Sequence, residues 1–364
     1  MKISILKRSY TVYITLGKNF GTWISGLFLG CFLLILRLIV NTFMLLDYIF
    51  FPSLLNKKIK NPIVIVGNPR SGTTFLHRYL IKNNIGAGSQ LWQLIYTSII
   101  LQKIIRPVLP VLEYFSPTRY HSTEAHKTSL SSIETDDASM LFRFFDGFFL
   151  YGFFLTWSKE DLFDWVDPKI RDNSDRDFNW FESMWKRTLK FHKSDRMIAK
   201  LFSVSANCPA FLNKFEDAKI LYMVRDPLSV IPSGLSLVTG VLDKKFNFWS
   251  MPKEDRQRFI DKLYEALKEL LLRFHDDWVN EKIDKSRVMI VKFDKMMSNF
   301  DGLMDEVLDF IDYDASNDFL KDIKLTSYKQ KNFKSGHKYD LERFGLTEQQ
   351  IKEDCDVIYK TFLS

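Results

Sequence analysis

Residues 63–76 read IVIVGNPRSGTTFL and give the clearest indication of the fold in this sequence. Four apolar β-forming residues lead into Gly67, and Gly72 follows after four more residues, which is the G-x-x-x-x-G spacing of a phosphate-binding loop. A strand that turns through such a loop into a helix directs several backbone N–H groups and the positive end of the helix dipole at one point. The stretch predicts an anion-binding loop, although a turn without a ligand has the same local pattern.

The residue after Gly72 restricts the anion that this loop would hold. Nucleotide triphosphatases place a lysine there for the β- and γ-phosphates, whereas this sequence has Thr73, with Arg70 three positions earlier. An arginine donates two hydrogen bonds to a terminal anionic group. The loop therefore favours an anion that is smaller and less charged than a triphosphate.

Three further apolar runs predict strands that pair with the first. They are RMIAKLF (196–202), KILYMV (219–224) and RVMIVKF (287–293), and helical patterns separate them, most clearly over 255–279 and 300–311. Strands that alternate with helices indicate a parallel sheet. The predicted fold class is α/β: a P-loop-like central parallel sheet of about four to five strands with flanking helices, plus an N-terminal apolar helix.

A second anion-binding pattern follows the run 219–224. Arg225 comes directly after the predicted strand, Pro227 stands where a helix would begin, and Ser233 lies eight residues after Arg225. A guanidinium and a hydroxyl at this place suit another anionic group. The alternative is that Arg225 forms an ion pair with Asp226 or with a distant carboxylate.

Together the two patterns resemble the sulfotransferases that use 3′-phosphoadenosine 5′-phosphosulfate. That family has a P-K/R-S-G-T-T loop and a strand followed by R-x-P-x-x-x-x-x-S, which read here PRSGTT (69–74) and RDPLSVIPS (225–233). The likeness to the bacterial-type branch extends over about residues 45–364, through LLDYIFFP (45–52) and HKYDLERFGLTEQQI (337–351). The branch often has K-S-P-x-H after a strand, whereas this chain has KLFSV (200–204), which leaves the role of Lys200 open.

The resemblance implies the substrate and its binding residues. The co-substrate would be 3′-phosphoadenosine 5′-phosphosulfate, with no metal required. The first motif would hold the 5′-phosphosulfate and the second the 3′-phosphate, and Arg70 would also neutralise the departing phosphate during the reaction. The implied binding residues are Arg70, Ser71, Gly72, Thr73, Thr74, Arg225 and Ser233.

A catalytic base is expected in the segment 121–145, where related sequences carry a histidine followed by acidic residues. His126 and Glu134 stand at matching places, and Asp136 and Asp137 follow as further candidates. The alternatives are that His126 is an ordinary loop residue and that Glu134 caps a helix, because Ser131-x-x-Glu134 is a capping-box pattern. His77, on the helix after the loop, is a weaker candidate.

The acceptor pocket is expected between about residues 90 and 190. The phenylalanine-rich segment 140–157 and the apolar segment 91–112 either line a cavity for an apolar or lipid-linked alcohol or pack in the core. The acceptor itself, a hydroxyl of a small molecule, lipid or glycan, is not identified by the sequence.

Residues 1–60 carry the whole excess charge of the chain, which is +7. Asp47 is their one acid, and their basic residues are Lys2, Lys7, Arg8, Lys18, Arg37, Lys57, Lys58 and Lys60. Basic residues beside an apolar stretch favour an anionic membrane surface and not a nucleic acid. The stretch after Lys18, which Arg37 and Asp47 interrupt, either lies in the membrane interface, spans once, or packs on the enzyme.

The domain and location predictions follow from this division. Residues 1–60 form a membrane-associated helical segment, and residues 61–364 form the sulfotransferase domain. Three cysteines that lie far apart and lack metal-ligand spacing fit a location on the cytoplasmic side of a membrane. The protein would be attached there peripherally or by a single membrane span. The oligomeric state stays open. The alternative functions are a P-loop-type nucleotide kinase and a non-catalytic membrane-attached nucleotide-binding protein.

Overall fold

The computed structural model of the protein describes residues 3–116, 128–332 and 340–364. It contains the following α-helices in chain order: α1 (Ile5–Phe20), α2 (Trp23–Phe50), α3 (Ser53–Asn56), α4 (Thr73–Lys82), α5 (Leu91–Ile95), α6 (Ile99–Ile105), α7 (Leu109–Phe115), α8 (Ala138–Phe144), α9 (Phe148–Phe153), α10 (Ser174–His192), α11 (Cys208–Lys214), α12 (Pro227–Phe246), α13 (Lys253–Val279), α14 (Phe293–Ser298), α15 (Phe300–Phe310), α16 (Asn317–Lys331), α17 (Glu348–Asp354) and α18 (Asp356–Ile358). Short 3₁₀ turns lie between several of them, and a π-turn covers Tyr359–Leu363.

Four parallel strands form one sheet. They are β1 (Ile63–Val66), β2 (Ile198–Lys200), β3 (Lys219–Val224) and β4 (Val288–Lys292), and their order across the sheet is β2-β1-β3-β4. The predicted α/β class and all four predicted strands are confirmed, with ends shifted by a few residues at most. The predicted helices over 255–279 and 300–311 are likewise confirmed as α13 and α15.

The chain divides into two compact units, which we call the loop unit and the helical unit. The loop unit comprises the described residues of Lys60–Gly86, Ile198–Ser236 and Leu267–Ser364, and it contains the sheet. The helical unit comprises those of Met1–Ile59, Ala87–Met197 and Leu237–Ala266. The predicted boundary between a membrane-associated segment and a transferase domain at residue 60 stays a prediction.

The core of the loop unit explains why β1 reads as an uninterrupted apolar run. All four residues of β1 are fully buried, as expected for a central parallel strand covered on both faces. Ile63 and Ile65 pack in a cluster with Leu76 and Leu80 of α4 and with Leu303 of α15. The rigid strand and helix on either side of the loop thereby fix its two ends.

The core of the helical unit takes in much of the phenylalanine-rich segment. Leu150, Tyr151 and Leu155 are buried in one cluster with Val12 of α1 and Trp165. These three residues of the segment 140–157 therefore pack in the core, as one of the two alternatives proposed. Several phenylalanines of the same segment are partly exposed.

The buried carboxylate of Asp146 binds three arginines of the helical unit. Asp146 forms ion pairs with Arg8 at 3.5 Å, with Arg176 at 2.9 Å, and with Arg171. Burial alone would raise the pKa of Asp146, but the hydrogen bond from Arg171 and the three positive charges lower it below its ordinary value. This cluster joins α1 to the segment that follows α8.

The N-terminal apolar stretch forms α2, which continues through both residues expected to interrupt it. α2 is long and apolar enough to cross a membrane, by length and composition only, and most of its side chains are exposed. Asp47 is fully buried and accepts hydrogen bonds from Ser98 Oγ at 2.9 Å and from Arg187 Nε at 2.9 Å. Asp47 is therefore a packing residue of α2.

Candidate functional site

The loop after β1 requires glycine at both ends. Gly67 has a φ of +135°, and a Cβ there would lie 2.6 Å from the carbonyl oxygen of Met223 in β3. Gly72 has a φ of +89°, and a Cβ there would lie 2.5 Å from Met296 Cε. The two glycines let the loop pass close to its neighbours before α4 begins at Thr73.

Arg70 occupies the left-handed region with a φ of +79°, which is uncommon for a residue with a side chain. Its Nε donates to Ser233 Oγ over 2.9 Å, and its carbonyl oxygen accepts from Arg225 Nη1 over 2.9 Å. These two bonds join the loop to both residues of the second motif. The structure thus brings Arg70, Arg225 and Ser233 together within one unit.

Arg225 is held from two further directions. Its guanidinium lies 4.1 Å from the ring centre of Phe293 at the start of α14. The next residue, Asp226, accepts through Oδ1 from the Leu228 amide at 2.9 Å and from the Tyr359 hydroxyl at 2.6 Å. The Asp226 carboxylate therefore caps the start of α12 and fixes the backbone from which Arg225 projects.

The strand order explains why the two motifs meet. In a sheet of order 2-1-3-4, the connections leave β1 and β3 in opposite directions, and ligands of such folds bind beyond the carboxyl ends of these strands. Arg70 follows β1 and Arg225 follows β3, so both stand at this switch point.

Lys200 is a site residue that the sequence left open. It is the last residue of β2, on the other side of β1, and its Nζ donates to Thr74 Oγ1 over 2.9 Å. The missing K-S-P-x-H pattern obscured this position. The signal that could have found it is its place at the carboxyl end of a strand adjacent to β1.

The first turn of α4 offers both backbone and hydroxyl donors. The Ser71 amide donates to the Asn68 carbonyl oxygen at 3.2 Å, which closes the loop and uses that N–H group. The Ser71 hydroxyl is buried and has no hydrogen-bond partner among the described residues. The amides of Gly72, Thr73 and Thr74 stand at the start of the helix, where N–H groups lack intrahelical acceptors. An anion at this helix end would complete these bonds.

His77 is a buried part of the same helix and faces the sheet. Its Nε2 donates to the Ile198 carbonyl oxygen at 3.0 Å, which makes the Nε2–H tautomer the bonded one. Burial, followed by the positive charge of Lys200, lowers the pKa of His77 to about 3. The imidazole is therefore neutral at physiological pH and is fully shielded from solvent.

The acidic candidates for the base belong to the helical unit. Asp136 Oδ1 accepts from Trp185 Nε1 at 3.2 Å, Asp137 Oδ2 accepts from Thr135 Oγ1 at 2.8 Å, and Glu134 is also buried. The capping-box alternative for Glu134 is wrong: Ile133 forms a bridge with Gln90, and α8 begins only at Ala138. His126 lies outside the described residues.

No group of three His, Cys, Asp or Glu side chains within residues 3–116, 128–332 and 340–364 has the arrangement of a metal site. The expectation that the reaction needs no metal stays a prediction.

Comparisons with known proteins agree with this geometry. Residues 62–317 match a family model described as "Sulfotransferase family". Sulfotransferase STF1 from Mycobacterium tuberculosis H37Rv has a similar crystal structure, with a TM-score of 0.67 and 16% identity over 96% of this chain and 90% of that one. Sulfotransferase STF9 from Mycobacterium avium gives a TM-score of 0.65 and 16% identity over 88% of this chain and 81% of that one. A search of curated protein sequences gives no match.

Proposed function

The chain belongs to the sulfotransferase family, and on this premise we propose that it transfers a sulfuryl group from 3′-phosphoadenosine 5′-phosphosulfate to a hydroxyl of a small-molecule, lipid or glycan acceptor. One observation carries the choice of donor: Arg225 Nη1 bonds to the Arg70 carbonyl oxygen at the carboxyl ends of β3 and β1. Two cationic side chains at one switch point suit a nucleotide that has an anionic group on each side of its ribose.

In this proposal the two motifs hold opposite ends of the donor. Arg70, the Ser71 hydroxyl and the amides of Gly72, Thr73 and Thr74 bind the 5′-phosphosulfate, because they surround the start of α4. Arg225 and Ser233 bind the 3′-phosphate. The bond from Arg70 to Ser233 keeps the two halves in register.

The transfer resembles phosphoryl transfer in its electronic demands. The acceptor oxygen forms a bond to sulfur while the bond from sulfur to the bridging phosphate oxygen breaks, and adenosine 3′,5′-bisphosphate departs. Negative charge gathers on the 5′-phosphate, where Arg70 and the loop amides stabilise it. Lys200, which donates to Thr74, holds a positive charge at the same loop.

The acceptor proton requires a base within hydrogen-bond reach. We propose His126, Glu134, Asp136 or Asp137 for this role, as the resemblance implies, with Glu134 favoured among the described candidates. The main competing explanation for its presence, a helix cap, no longer applies, because α8 starts four residues later.

The proposed working place is the cytoplasmic side of a membrane. The exposed apolar helix α2 and the basic excess of residues 1–60 support this.

The donor assignment is tested by thermal unfolding with added nucleotide. A ligand that binds the folded state raises the midpoint by mass action. We expect adenosine 3′,5′-bisphosphate to raise it without Mg²⁺, and ATP to have much less effect. Arg225→Ala should abolish the shift, whereas Lys324→Ala, which removes an exposed cation of α16, should preserve it. Equal stabilisation by ATP would favour the nucleotide-kinase alternative.

The transfer itself is tested with radiolabelled sulfonate donor and a total lipid and metabolite extract. Label should enter one acceptor fraction, and Glu134→Gln should block this entry while donor binding persists. If Glu134→Gln remains active and Asp137→Asn does not, the base is reassigned. Donor binding without any transfer would favour the non-catalytic alternative.

A further inference from the structure

The first end of α2 is fixed to the helical unit. The ring of Phe20, three residues before α2 begins, lies 4.7 Å from the ring of Trp157 and 4.3 Å from that of Phe246. Trp23, the first residue of α2, packs so closely on α1 that a Cβ at Gly17 would lie 2.4 Å from its ring. The start of α2 is therefore packed against α1 and the rings of Trp157 and Phe246.

The other end of α2 is fixed to the same unit by Asp47. In addition to Ser98 Oγ and Arg187 Nε, this carboxylate accepts from the backbone amides of Ile99 and Ile100, each at 3.1 Å. It thereby caps the start of α6 and pairs with α10 at once. A buried carboxylate with four donors holds its helix firmly in place.

The middle of α2 lies along the unit as well. Leu33, Leu36 and Arg37 are half-buried and Val40 and Met44 are buried, at a spacing that places them on one helical face. Burial and the nearby charge of Arg176 lower the pKa of the Arg37 guanidinium, as expected for a group beside folded protein. The opposite face carries Ile24, Phe28, Leu34 and Leu38, all exposed.

This attachment restricts how α2 meets a membrane. Its 28 residues extend for about 42 Å, and a bilayer core is about 30 Å thick. A spanning helix would place its two ends on opposite sides of the bilayer. Here both ends and one face pack on a single folded unit, so a spanning arrangement would draw Arg37 and Arg176 into the hydrocarbon.

A second apolar surface lies outside the N-terminal segment. Ile104, Val108, Val111 and Phe115 follow the spacing i, i+4, i+7 and i+11 along α6, a 3₁₀ turn and α7, and their exposed fractions lie between 48% and 74%. We call these four side chains the second stripe. Monomeric proteins seldom expose such a continuous apolar patch without a binding role.

The second stripe continues into the surface of α2. α6 packs against α2, and a cavity of about 290 Å³ lies where they meet, lined by Phe50, Phe51, Ile100, Lys103 and Ile104. The Lys103 ammonium lies 4.7 Å from the ring centre of Phe51. An apolar cavity with an ammonium at its side suits an acyl chain below an anionic headgroup.

Basic side chains predominate around this joint surface, and the one acid of α6 and α7 is Glu113. Lys103 of α6 and Arg106, which follows it, are exposed, and Lys18 and Lys58 are exposed near the two ends of α2 in the sequence. The acid of residues 1–60, Asp47, is buried against Arg187. Glu113 of α7 accepts hydrogen bonds from the amides of Leu130 and Ser131.

We propose that the exposed face of α2 and the second stripe together form one lipid-binding surface, which attaches the protein in the plane of a single anionic leaflet without crossing the bilayer. The inference rests on the proposed membrane association, not on the transferase chemistry. The occupant is a lipid leaflet, because apolar side chains are bordered by cations here, as in interfacial helices.

Vesicle flotation of the full chain tests the second stripe. The protein should float with vesicles that contain phosphatidylglycerol, and much less with phosphatidylcholine alone. Val108→Glu with Val111→Glu should lower the bound fraction at least several-fold. Leu325→Glu, at an exposed apolar position of α16, should not. An equal loss in both variants would overturn the proposal, and circular dichroism confirms that both are folded.

Cysteine labelling with a membrane-impermeant maleimide tests the in-plane position. Cys31 is exposed on α2, whereas Cys208 and Cys355 are buried. Anionic vesicles should protect Cys31. Protection without lipid, together with a dimer in sedimentation, would instead identify a second copy as the occupant and overturn the proposal.

Sidedness follows from two further variants in a Cys31→Ser background. Ser9→Cys in α1 and Lys58→Cys after α3 should both react from the same side of sealed membranes isolated from the expressing cells. Reaction from opposite sides would show that α2 spans. Because none of these three assays measures sulfonate transfer, an inactive enzyme would leave their results unchanged, and failed lipid binding would not affect the donor assignment.

Discussion

The cations of the candidate site in the loop unit and the arginines of the helical unit bond to different kinds of acceptor. In the loop unit, Arg70 donates to a serine hydroxyl, Arg225 to a backbone carbonyl, and Lys200 to a threonine hydroxyl. In the helical unit, Arg187 donates to the carboxylate of Asp47, and three arginines surround the carboxylate of Asp146. The difference lies in the charge of the acceptor.

A bond to an uncharged oxygen orients a cation and leaves its charge in place, whereas a buried carboxylate neutralises it. The hydrogen bonds of Arg70, Arg225 and Lys200 orient these three cations, whereas the ion pairs of Asp47 and Asp146 join distant segments of the helical unit. We expect substitutions in the first set to weaken ligand binding and substitutions in the second to weaken folding.

The largest effect is expected from Asp47→Ala. It leaves the Arg187 guanidinium buried without this carboxylate, and breaking such a pair costs about 3–5 kcal/mol of unfolding free energy. Denaturant unfolding in detergent measures the loss. The double variant Asp47→Ala with Arg187→Met should recover much of it. A loss below about 1 kcal/mol would contradict the structural role.

Arg70→Ala should, in contrast, reduce turnover strongly and stability only slightly. Turnover should fall by about 10²–10³-fold, since a donor to the developing charge is lost, while the unfolding free energy changes by only about 1 kcal/mol. Steady-state kinetics and denaturant unfolding measure the two quantities. Arg70→Lys is the matched control and should retain part of the activity, because it keeps the charge without the paired donors. If Arg70→Ala lowered the unfolding free energy by several kcal/mol as well, the proposed difference between the two sets of cations would be contradicted.

Mild acid is expected to destabilise the loop unit through protonation of His77. His77 has a folded-state pKa of about 3 against an ordinary 6.5, so its contribution to stability is complete above pH 6.5 and is lost as pH falls. Between pH 6.5 and 5 the loss is about 2 kcal/mol. The depressed pKa of Asp146 removes stability only below that group's ordinary value of 3.8.

The measurement for His77 is the difference between the wild type and His77→Gln, which has an amide donor for the Ile198 carbonyl but does not titrate. Burial raises the pKa of Asp177 to about 6, so this carboxyl stabilises the folded chain as pH falls and partly hides the effect of His77. Denaturant unfolding of both proteins at pH 7 and pH 5 isolates the histidine. Parallel curves would show that His77 does not govern the acid response.

The smallest effect is expected from Ser233→Ala. It removes one hydroxyl that accepts from Arg70, which is worth about 0.5–1.5 kcal/mol, or about a 2- to 10-fold weaker affinity for adenosine 3′,5′-bisphosphate. Isothermal titration measures it. Ser298→Ala, at an exposed hydroxyl at the end of α14, should leave the affinity unchanged.

The sequence predicted the sheet and the glycine turn between β1 and α4 because both depend on local patterns. An apolar run before a glycine turn reports burial and backbone shape without reference to the rest of the chain. The meeting of Arg70 and Arg225 was also within reach, since each follows a strand of one parallel sheet. The contact of Lys200 with Thr74 was not predictable from the local pattern, because the residues after Lys200 depart from K-S-P-x-H and Thr74 lies 126 residues away.

At Asp47 and Glu134 the local sequence pattern suggested the wrong role, because residues distant in the sequence determine their surroundings. Asp47 looked like an interruption of an apolar stretch, because its partner Arg187 lies 140 residues away. Glu134 looked like a helix cap, because nothing nearby revealed that Ile133 pairs with Gln90. In both cases the decisive neighbour was set by tertiary packing.

The bond between Tyr359 and Asp226 makes the proposed donor site depend on a residue that lies far from both anion motifs in the sequence. Proteolytic trimming past this tyrosine, or a bulky epitope tag fused close behind it, would take a donor away from the carboxylate that caps α12. Arg225 would then project from a looser backbone. A preparation that has lost nucleotide affinity should therefore be checked by intact mass before the fault is sought in the glycine loop.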